Sequence, residues 1–120
     1  MIWESAVIRK TMIYTDQGVT ARVQFRLPHS IWADRIYLVG DFNGWDTTAH
    51  PMQRNSNGEW YIELDLEPNR RYEFRYLCDG ERWINDPEAD AYEPNPYGGK
   101  NSVILTDLPE EERDNVADEG

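Results

Sequence analysis

The sequence contains very few of the residues that form covalent links or metal sites. Cys78 is the only cysteine, so no internal disulfide is possible and nothing indicates an oxidising compartment. His29 and His50 are the only histidines, too few beside one cysteine for a zinc site of the usual ligand types. A glycine-rich phosphate loop is also missing. We therefore expect neither a metal nor a cofactor.

Basic residues and long apolar runs are scarce as well. Lys+Arg number 12 against 23 Asp+Glu, which gives a formal net charge of -11. Such a chain is repelled by phosphate backbones and anionic lipid heads, so neither nucleic acid nor membrane is an expected partner, whereas a neutral polymer does not sense this charge. No apolar run is long enough to span a bilayer, and Met1 to Glu4 does not begin a secretory signal, so we expect a cytoplasmic protein.

No group of residues stands out as catalytic. The many carboxylates supply accidental pairs of the kind that glycoside hydrolysis needs, but nothing marks one pair above the others. Asp41, Asp79 and Asp86 lie beside Gly, Asn or Pro in turns, where an aspartate commonly accepts hydrogen bonds from backbone N–H groups. A G-x-S-x-G nucleophile elbow is absent. We therefore predict that the chain is not an enzyme.

Apolar and polar side chains alternate with a period of two in several segments, which is typical of strands with one wet face. Turn residues separate these segments, and no segment has a helical stripe. About six or seven short strands are predicted, among them residues 6–14, 19–27, 36–39, 60–66, 72–78 and 103–105. The predicted fold class is all-β, an immunoglobulin-like β-sandwich of two antiparallel sheets.

The chain is predicted to form a single domain over residues 1–106. Residues 87–99 hold three prolines and two glycines, so we interpret them as an ordered irregular loop rather than a strand. Residues 107–120 contain seven acidic side chains and almost no apolar ones, which predicts a disordered tail.

The tryptophans fall in different contexts. Trp60 lies in the inward phase of its alternating segment and is predicted to be in the core, while Trp3 and Trp32 have no clear assignment. Trp45 lies among the turn residues of GDFNGWD, and Trp83 follows a hairpin signal, so both are candidates for exposure.

The orientation of Trp83 depends on the length of the preceding hairpin loop. A two-residue loop at Asp79-Gly80 places Trp83 opposite the inward Tyr76. A three-residue loop that includes Glu81 places it opposite Leu77, on the outer face. The alternation alone leaves both registers open.

Four segments carry a more specific signal, and they are, in chain order, YLVGDFNGWD, NGEWYIELDL, YEFRYLCDGERWINDP and GGKNSVIL. Together they resemble the glycogen-binding domain of the AMP-activated protein kinase β subunit. They are also similar to the N-terminal early-set domains of isoamylases and branching enzymes, grouped as carbohydrate-binding module family 48. The likeness spans about Val19 to Thr106. It implies an early-set β-sandwich that binds glycogen, starch or maltooligosaccharides.

The resemblance also implies site residues. The family's two sugar-stacking tryptophans fall on Trp45 and Trp83, and its basic hydroxyl donor falls on Arg75, which replaces the usual lysine. The asparagine that bonds sugar hydroxyls matches Asn101, and the apolar residue that reaches through a ring-shaped ligand matches Tyr97, which replaces the usual leucine. The family favours the outward orientation of Trp83, because a three-residue loop absorbs the one residue by which this hairpin exceeds kinase-type members.

Each polar or loop residue also has a structural alternative. Arg75 could form a cross-strand ion pair with an outward carboxylate such as Glu63. Asn101 could bond the backbone of the Gly98-Gly99 turn, and Tyr97 could pack onto its own proline-rich loop. The sequence leaves these alternatives open.

The predicted function is non-catalytic binding of α-1,4-linked glucan by aromatic stacking. A flat ring removes the C–H face of glucose from water while polar side chains meet its hydroxyls. The alternative is an adaptor that docks onto a glucan-metabolising enzyme or a kinase-like complex, with sugar binding weak or lost. A glycogen-metabolising enzyme is accordingly a second candidate partner beside the glucan itself.

Overall fold

The structure is a computed structural model and describes residues 8–108. Nearly all of its regular structure is β-strand, with one 3₁₀ turn at Asp41–Asn43. The strands are β1 Arg9–Thr15, β2 Gly18–Leu27, β3 Ile36–Gly40, β4 Gln53–Arg54, β5 Trp60–Leu66, β6 Arg71–Cys78, β7 Arg82–Ile84, β8 Ala91–Pro94 and β9 Lys100–Leu105.

The strands form two antiparallel sheets. The first has the order β1-β2-β5-β4, and the second has the order β3-β6-β9-β8. Strand β7 pairs with the C-terminal end of β6, whereas β9 pairs with its N-terminal half. In the second sheet, β6 is the central strand, because it pairs with β3, β7 and β9. The predicted all-β sandwich of two antiparallel sheets is confirmed.

The core lies between the two sheets and follows the alternation in the sequence. The alternating residues of β2 from Ala21 to Leu27 are buried and face the inward residues of β6, such as Phe74 and Tyr76. Trp60 of β5 is 3% exposed, so its predicted place in the core is confirmed. Burial of these apolar side chains is the main source of stability.

One buried polar cluster joins β6 to β9 and to the segment that follows β7. Asp86 is fully buried; it accepts a hydrogen bond from the Tyr76 hydroxyl at 2.7 Å, and its backbone N–H donates to Ser102 Oγ at 2.9 Å. Burial raises the pKa values of both the Asp86 carboxyl and the Tyr76 hydroxyl. Asn85 extends the cluster by accepting a hydrogen bond from Ser102. The chain leaving Trp83 is thereby fixed to the sheet.

The prediction of an irregular loop over residues 87–99 is wrong in part, because Ala91–Pro94 forms β8 on the edge of the second sheet. All four residues of β8 are exposed, so this strand has no apolar alternation that periodicity could detect. Pro94 is compatible with an edge position, where no neighbour needs its missing N–H. The predicted first strand begins at Arg9, and its residues 6–7 lie outside the described part. Trp3 and residues 109–120, most of the predicted tail, also lie outside it.

Candidate functional site

A groove of about 550 Å³ lies on the outer face of the second sheet. It combines aromatic side chains with amide, guanidinium and carboxylate groups. Its lining residues are Trp45, Glu73, Arg75, Trp83, Asn95, Pro96, Tyr97 and Asn101. All five residues predicted from the sequence therefore meet in one place, although they come from four separate segments of the chain.

Trp45 is placed by a tight turn after β3. The turn passes through Gly44 with φ 67° and continues into Trp45 with φ 59°, a left-handed conformation that is uncommon for a residue with a side chain. The backbone N–H of Trp45 donates to the carbonyl of Gly40 at 2.9 Å. Trp45 is half-buried rather than fully exposed, and a strained backbone at an aromatic residue that lines a groove is typical of functional positions.

Asp41 links the Trp45 side chain to the neighbouring strand. Its Oδ1 accepts a hydrogen bond from Trp45 Nε1 at 2.9 Å, and its Oδ2 accepts one from the backbone N–H of Glu73 at 2.7 Å. Both carboxylate oxygens are thus used to hold the indole against β6. The prediction that Asp41 bonds backbone N–H groups is confirmed, and its bond to the indole is an additional role.

The other residues of the GDFNGWD segment shape the same turn. Phe42 packs against Phe25 and Tyr72, with ring centroids 5.8 Å apart in both pairs. Asn43 Oδ1 accepts from the N–H of Gly40, and its Nδ2 donates to the Leu38 carbonyl. The phenylalanine therefore attaches the turn to the core, while the asparagine closes it.

Trp83 lies on β7, opposite Leu77 of β6. The loop before it contains three residues, Asp79–Glu81, and its first two have φ values of 55° and 73°. The register with Trp83 on the outer face is therefore the observed one. Asp79 Oδ1 accepts hydrogen bonds from the backbone N–H groups of Asp34 and Arg35, which confirms its predicted turn role. Trp83 is 38% exposed.

Arg75 lies on the outer face of β6, with its guanidinium carbon 5.7 Å from the centroid of the Trp83 ring. The alternative of an ion pair with Glu63 is wrong, because Glu63 is on β5 of the other sheet. The chain changes sheets between β5 and β6, which alternation cannot reveal. Arg75 Nε is buried and has no hydrogen-bond partner among the described residues. A buried N–H without an acceptor is costly.

Asn101 and Glu73 form the polar floor of the groove. Asn101 Nδ2 donates to Glu73 Oε1 at 3.0 Å, and Asn101 Oδ1 accepts from Asn95 Nδ2 at 3.2 Å. The hydrogen bond from Asn101 and then the bond from Arg71 lower the pKa of the Glu73 carboxyl. Glu73 is therefore charged at neutral pH.

The turn at 95–99 is closed by Asn95 rather than by Asn101. Asn95 Oδ1 accepts from the backbone N–H groups of Tyr97 and Gly99, at 2.9 and 3.1 Å. The alternative role of Asn101 in this turn is therefore wrong. Tyr97 is 93% exposed, so the alternative in which its ring packs onto its own loop is wrong as well.

Glu73 and Asn95 were not identified from the sequence. Glu73 precedes Arg75 by two residues on one strand, so both share a face, and this spacing was an available signal. Asn95 stands before a Pro-Tyr-Gly-Gly turn, a position at which an asparagine often bonds the backbone ahead of it.

Within residues 8–108, no group of three or more His, Cys, Asp or Glu side chains is placed to hold a metal ion. In the same range, no helix is long and apolar enough to cross a membrane.

A β-sandwich with an open groove of aromatic rings and hydroxyl-bonding groups has the form of a carbohydrate-binding module. Residues 14–94 match carbohydrate-binding module 48 (isoamylase N-terminal domain), and this match covers more than half of the chain. The chain belongs to this family, and it is a carbohydrate-binding domain.

Its curated relatives include enzymes that are much longer than this chain. It is 37% identical over 73 residues to the 1,4-alpha-glucan branching enzyme GlgB 2 of Xanthomonas campestris, covering 56% of this chain and 10% of that enzyme. It is 53% identical over 37 residues to the 1,4-alpha-glucan-branching enzyme of Dictyostelium discoideum, covering 31% of this chain and 6% of the enzyme. Among solved structures, a pullulanase from Bacillus acidopullulyticus shares the fold, with a TM-score of 0.53 and 18% identity over 87% of this chain and 12% of the pullulanase.

Proposed function

We propose that the groove binds α-1,4-linked glucan, such as glycogen, starch or maltooligosaccharides, without cutting it. The observation that carries the proposal is the meeting of Trp45, Trp83 and Tyr97 around Arg75 and Asn101 in one groove. The two indoles stack on the C–H faces of successive glucose rings, and the exposed Tyr97 ring contacts the ligand from the opposite rim.

The polar groups meet the hydroxyls. Arg75 and Asn101 are already held by neighbours, Arg75 near the Trp83 ring and Asn101 by Glu73 and Asn95. Little side-chain freedom is therefore lost when a sugar binds. Arg75 lines the groove and supplies N–H donors to the sugar hydroxyls.

The expected affinity is moderate. A stack that removes about 80 Å² of apolar area from water contributes about 2 kcal/mol. Two such stacks and a few hydrogen bonds, offset by the loss of translational and rotational freedom, give a dissociation constant on the order of micromolar to millimolar.

The arrangement of carboxylates supports binding without hydrolysis. Glycoside hydrolysis uses two carboxyl groups across the scissile bond, one of them protonated to act as an acid. Glu73 is the one carboxylate that lines the groove among the described residues, and its bonds to Asn101 and Arg71 favour its charged form. It is therefore unsuited to donate a proton at neutral pH.

Titration of β-cyclodextrin against tryptophan emission tests this function, together with mobility in a native gel that contains amylopectin. We expect saturable binding and retardation in wild type, and loss of both in Trp45→Ala and Trp83→Ala. Tyr14→Ala, which removes an exposed aromatic of β1 far from the groove lining, is the matched control and keeps wild-type retardation. A wild-type chain that migrates freely would refute glucan binding and favour the adaptor alternative. Reducing sugar released from starch by the pure protein would refute the non-catalytic role.

A further inference from the structure

Trp32 is an exposed tryptophan that does not belong to the groove. It lies in the loop between β2 and β3 and is 88% exposed. A side chain so exposed contributes little to the core, yet it places a large apolar surface in water. Singly exposed apolar residues are common, so the surroundings of Trp32 decide whether it has a role.

The backbone around Trp32 is held in place by other elements. The Trp32 carbonyl accepts a hydrogen bond from Arg82 Nη2 at 2.8 Å. Two residues further on, the N–H groups of Asp34 and Arg35 both donate to Asp79 Oδ1, at 2.8 and 2.9 Å. A ligand that contacts the indole therefore does not have to order the loop that carries it.

The indole borders a depression of about 500 Å³ that also contains polar side chains of both signs. Asp34 and Asp79 supply acceptors, and Arg54 and His29 supply donors. The Arg54 guanidinium lies 4.5 Å from the centroid of the Trp60 ring and has no carboxylate within ion-pair distance among residues 8–108. A flat ring beside donors and acceptors of nearly balanced charge suits a neutral polyhydroxyl ligand better than a phosphate or a strongly charged peptide.

A row of paired residues on the second sheet leads from Trp83 toward the loop that carries Trp32. Trp83 is paired with Leu77, and Leu77 is paired with Tyr37 of β3, so the three side chains form a row. Tyr37 borders a further hollow together with Asp34 and Asp79, and these two aspartates also line the Trp32 depression. The Trp32 depression itself shares no lining residue with the groove, so the two are separate places on the surface.

We propose that Trp32 is a second contact for α-glucan, which takes another stretch of the polymer, or a neighbouring branch, while the groove holds the first. The class of ligand is taken from the proposed function, whereas the site is argued from residues that do not line the groove. A polymer that engages both places is released more slowly than a short oligosaccharide that fills only the groove.

Indole N–H resonances in a two-dimensional NMR spectrum, assigned through single Trp→Phe variants, provide the first test. With maltoheptaose we expect the Trp32 resonance to shift together with those of Trp45 and Trp83, and its shift to persist in Trp83→Ala. Shifts at Trp45 and Trp83 with an unmoved Trp32 overturn the second contact and leave the groove intact. A shift at Trp32 alone supports the second contact and refutes the groove, and no shift at any of the three refutes both.

Retention by amylopectin provides the second test. Because the second contact acts through linkage of two sites on one polymer, Trp32→Ala should weaken retention roughly tenfold. Tyr14→Ala removes an aromatic side chain that is 53% exposed on another surface and should behave as wild type. Equal retention of Trp32→Ala, Tyr14→Ala and wild type would overturn the proposal.

Discussion

The indole Nε1 of Trp45 donates a hydrogen bond to Asp41 at 2.9 Å, and the second oxygen of this carboxylate is bonded to the backbone of β6. The plane of the indole is therefore set by a strand on which Arg75 also lies. The position of the Trp45 ring relative to Arg75 therefore depends on Asp41, although Asp41 itself does not line the groove.

Replacement of Asp41 should weaken sugar binding without a sugar contact being removed. In Asp41→Ala the indole is free to turn, and binding must then order it. The conformational entropy lost by one such side chain corresponds to a rise of about three- to tenfold in the dissociation constant for β-cyclodextrin. Calorimetric titration measures this change. In a Trp45→Phe background, which has no indole N–H, the same substitution should have a smaller effect. An equal effect in both backgrounds would show that Asp41 acts only through the fold.

Two substitutions at Trp45 should separate binding from stability. Trp45 has φ 59°, which glycine adopts freely and alanine does not. Both Trp45→Gly and Trp45→Ala lose the stacking surface and should lose retardation by amylopectin. Trp45→Gly should nevertheless be more stable than Trp45→Ala by about 1 kcal/mol in urea unfolding. A less stable glycine variant would mean that the left-handed conformation carries no strain.

The pH dependence of binding should reveal Glu73. Because its pKa is lowered in the folded protein, the stabilisation from its charged form is present above the ordinary glutamate pKa and is lost as the pH falls through the lowered value. We expect the affinity for β-cyclodextrin to drop by about threefold as the pH falls below the ordinary pKa range of a glutamate carboxyl, because Asn101 then loses its charged acceptor. Glu73→Gln should lack this step, because its amide oxygen does not titrate. The same acid step in both proteins would assign it to other carboxyl groups.

Substitution of Gly40 should damage the fold and the site together. A Cβ there would lie 2.6 Å from the Glu73 carbonyl oxygen and 2.7 Å from Phe74 Cβ, and both atoms belong to a central strand that has little room to move. We expect Gly40→Ala to cost about 2 kcal/mol of unfolding free energy. Gly44→Ala is the matched control: its Cβ meets nothing within 4 Å, so only the cost of φ 67° remains, about 1 kcal/mol. A Gly40→Ala variant as stable as wild type would contradict the close packing at this turn.

Strands with one buried face were predictable, because a buried face imposes a period of two on the sequence. This holds for β2, β5 and β6, and it placed Trp60 in the core. The edge strand β8 has no buried face and leaves no such trace. Periodicity also does not say which sheet a strand joins, and for this reason an ion pair between Arg75 and Glu63 appeared reasonable.

The site was partly predictable for a different reason. A tryptophan among turn residues has few structural uses, so Trp45 was visible in the sequence. The register of Trp83 was not visible in the sequence. It depends on the backbone angles at Asp79 and Gly80, and an Asp-Gly sequence is compatible with both a two-residue and a three-residue loop. The hydrogen bond from the backbone N–H of Glu73 to Asp41 joins residues 32 positions apart, a relation that only the folded chain shows.

The turn that carries Tyr97 is closed by its own asparagine, and the Tyr97 side chain is 93% exposed. Residues 96–98 can therefore be exchanged or lengthened while the sandwich and both indoles stay as they are, provided that Asn95 keeps its bonds to the turn and to Asn101. On the proposed function, the fit of the groove to its glucan is therefore adjustable at Pro96 and Tyr97, and grafting of this turn with Asn95 kept is the natural way to engineer it.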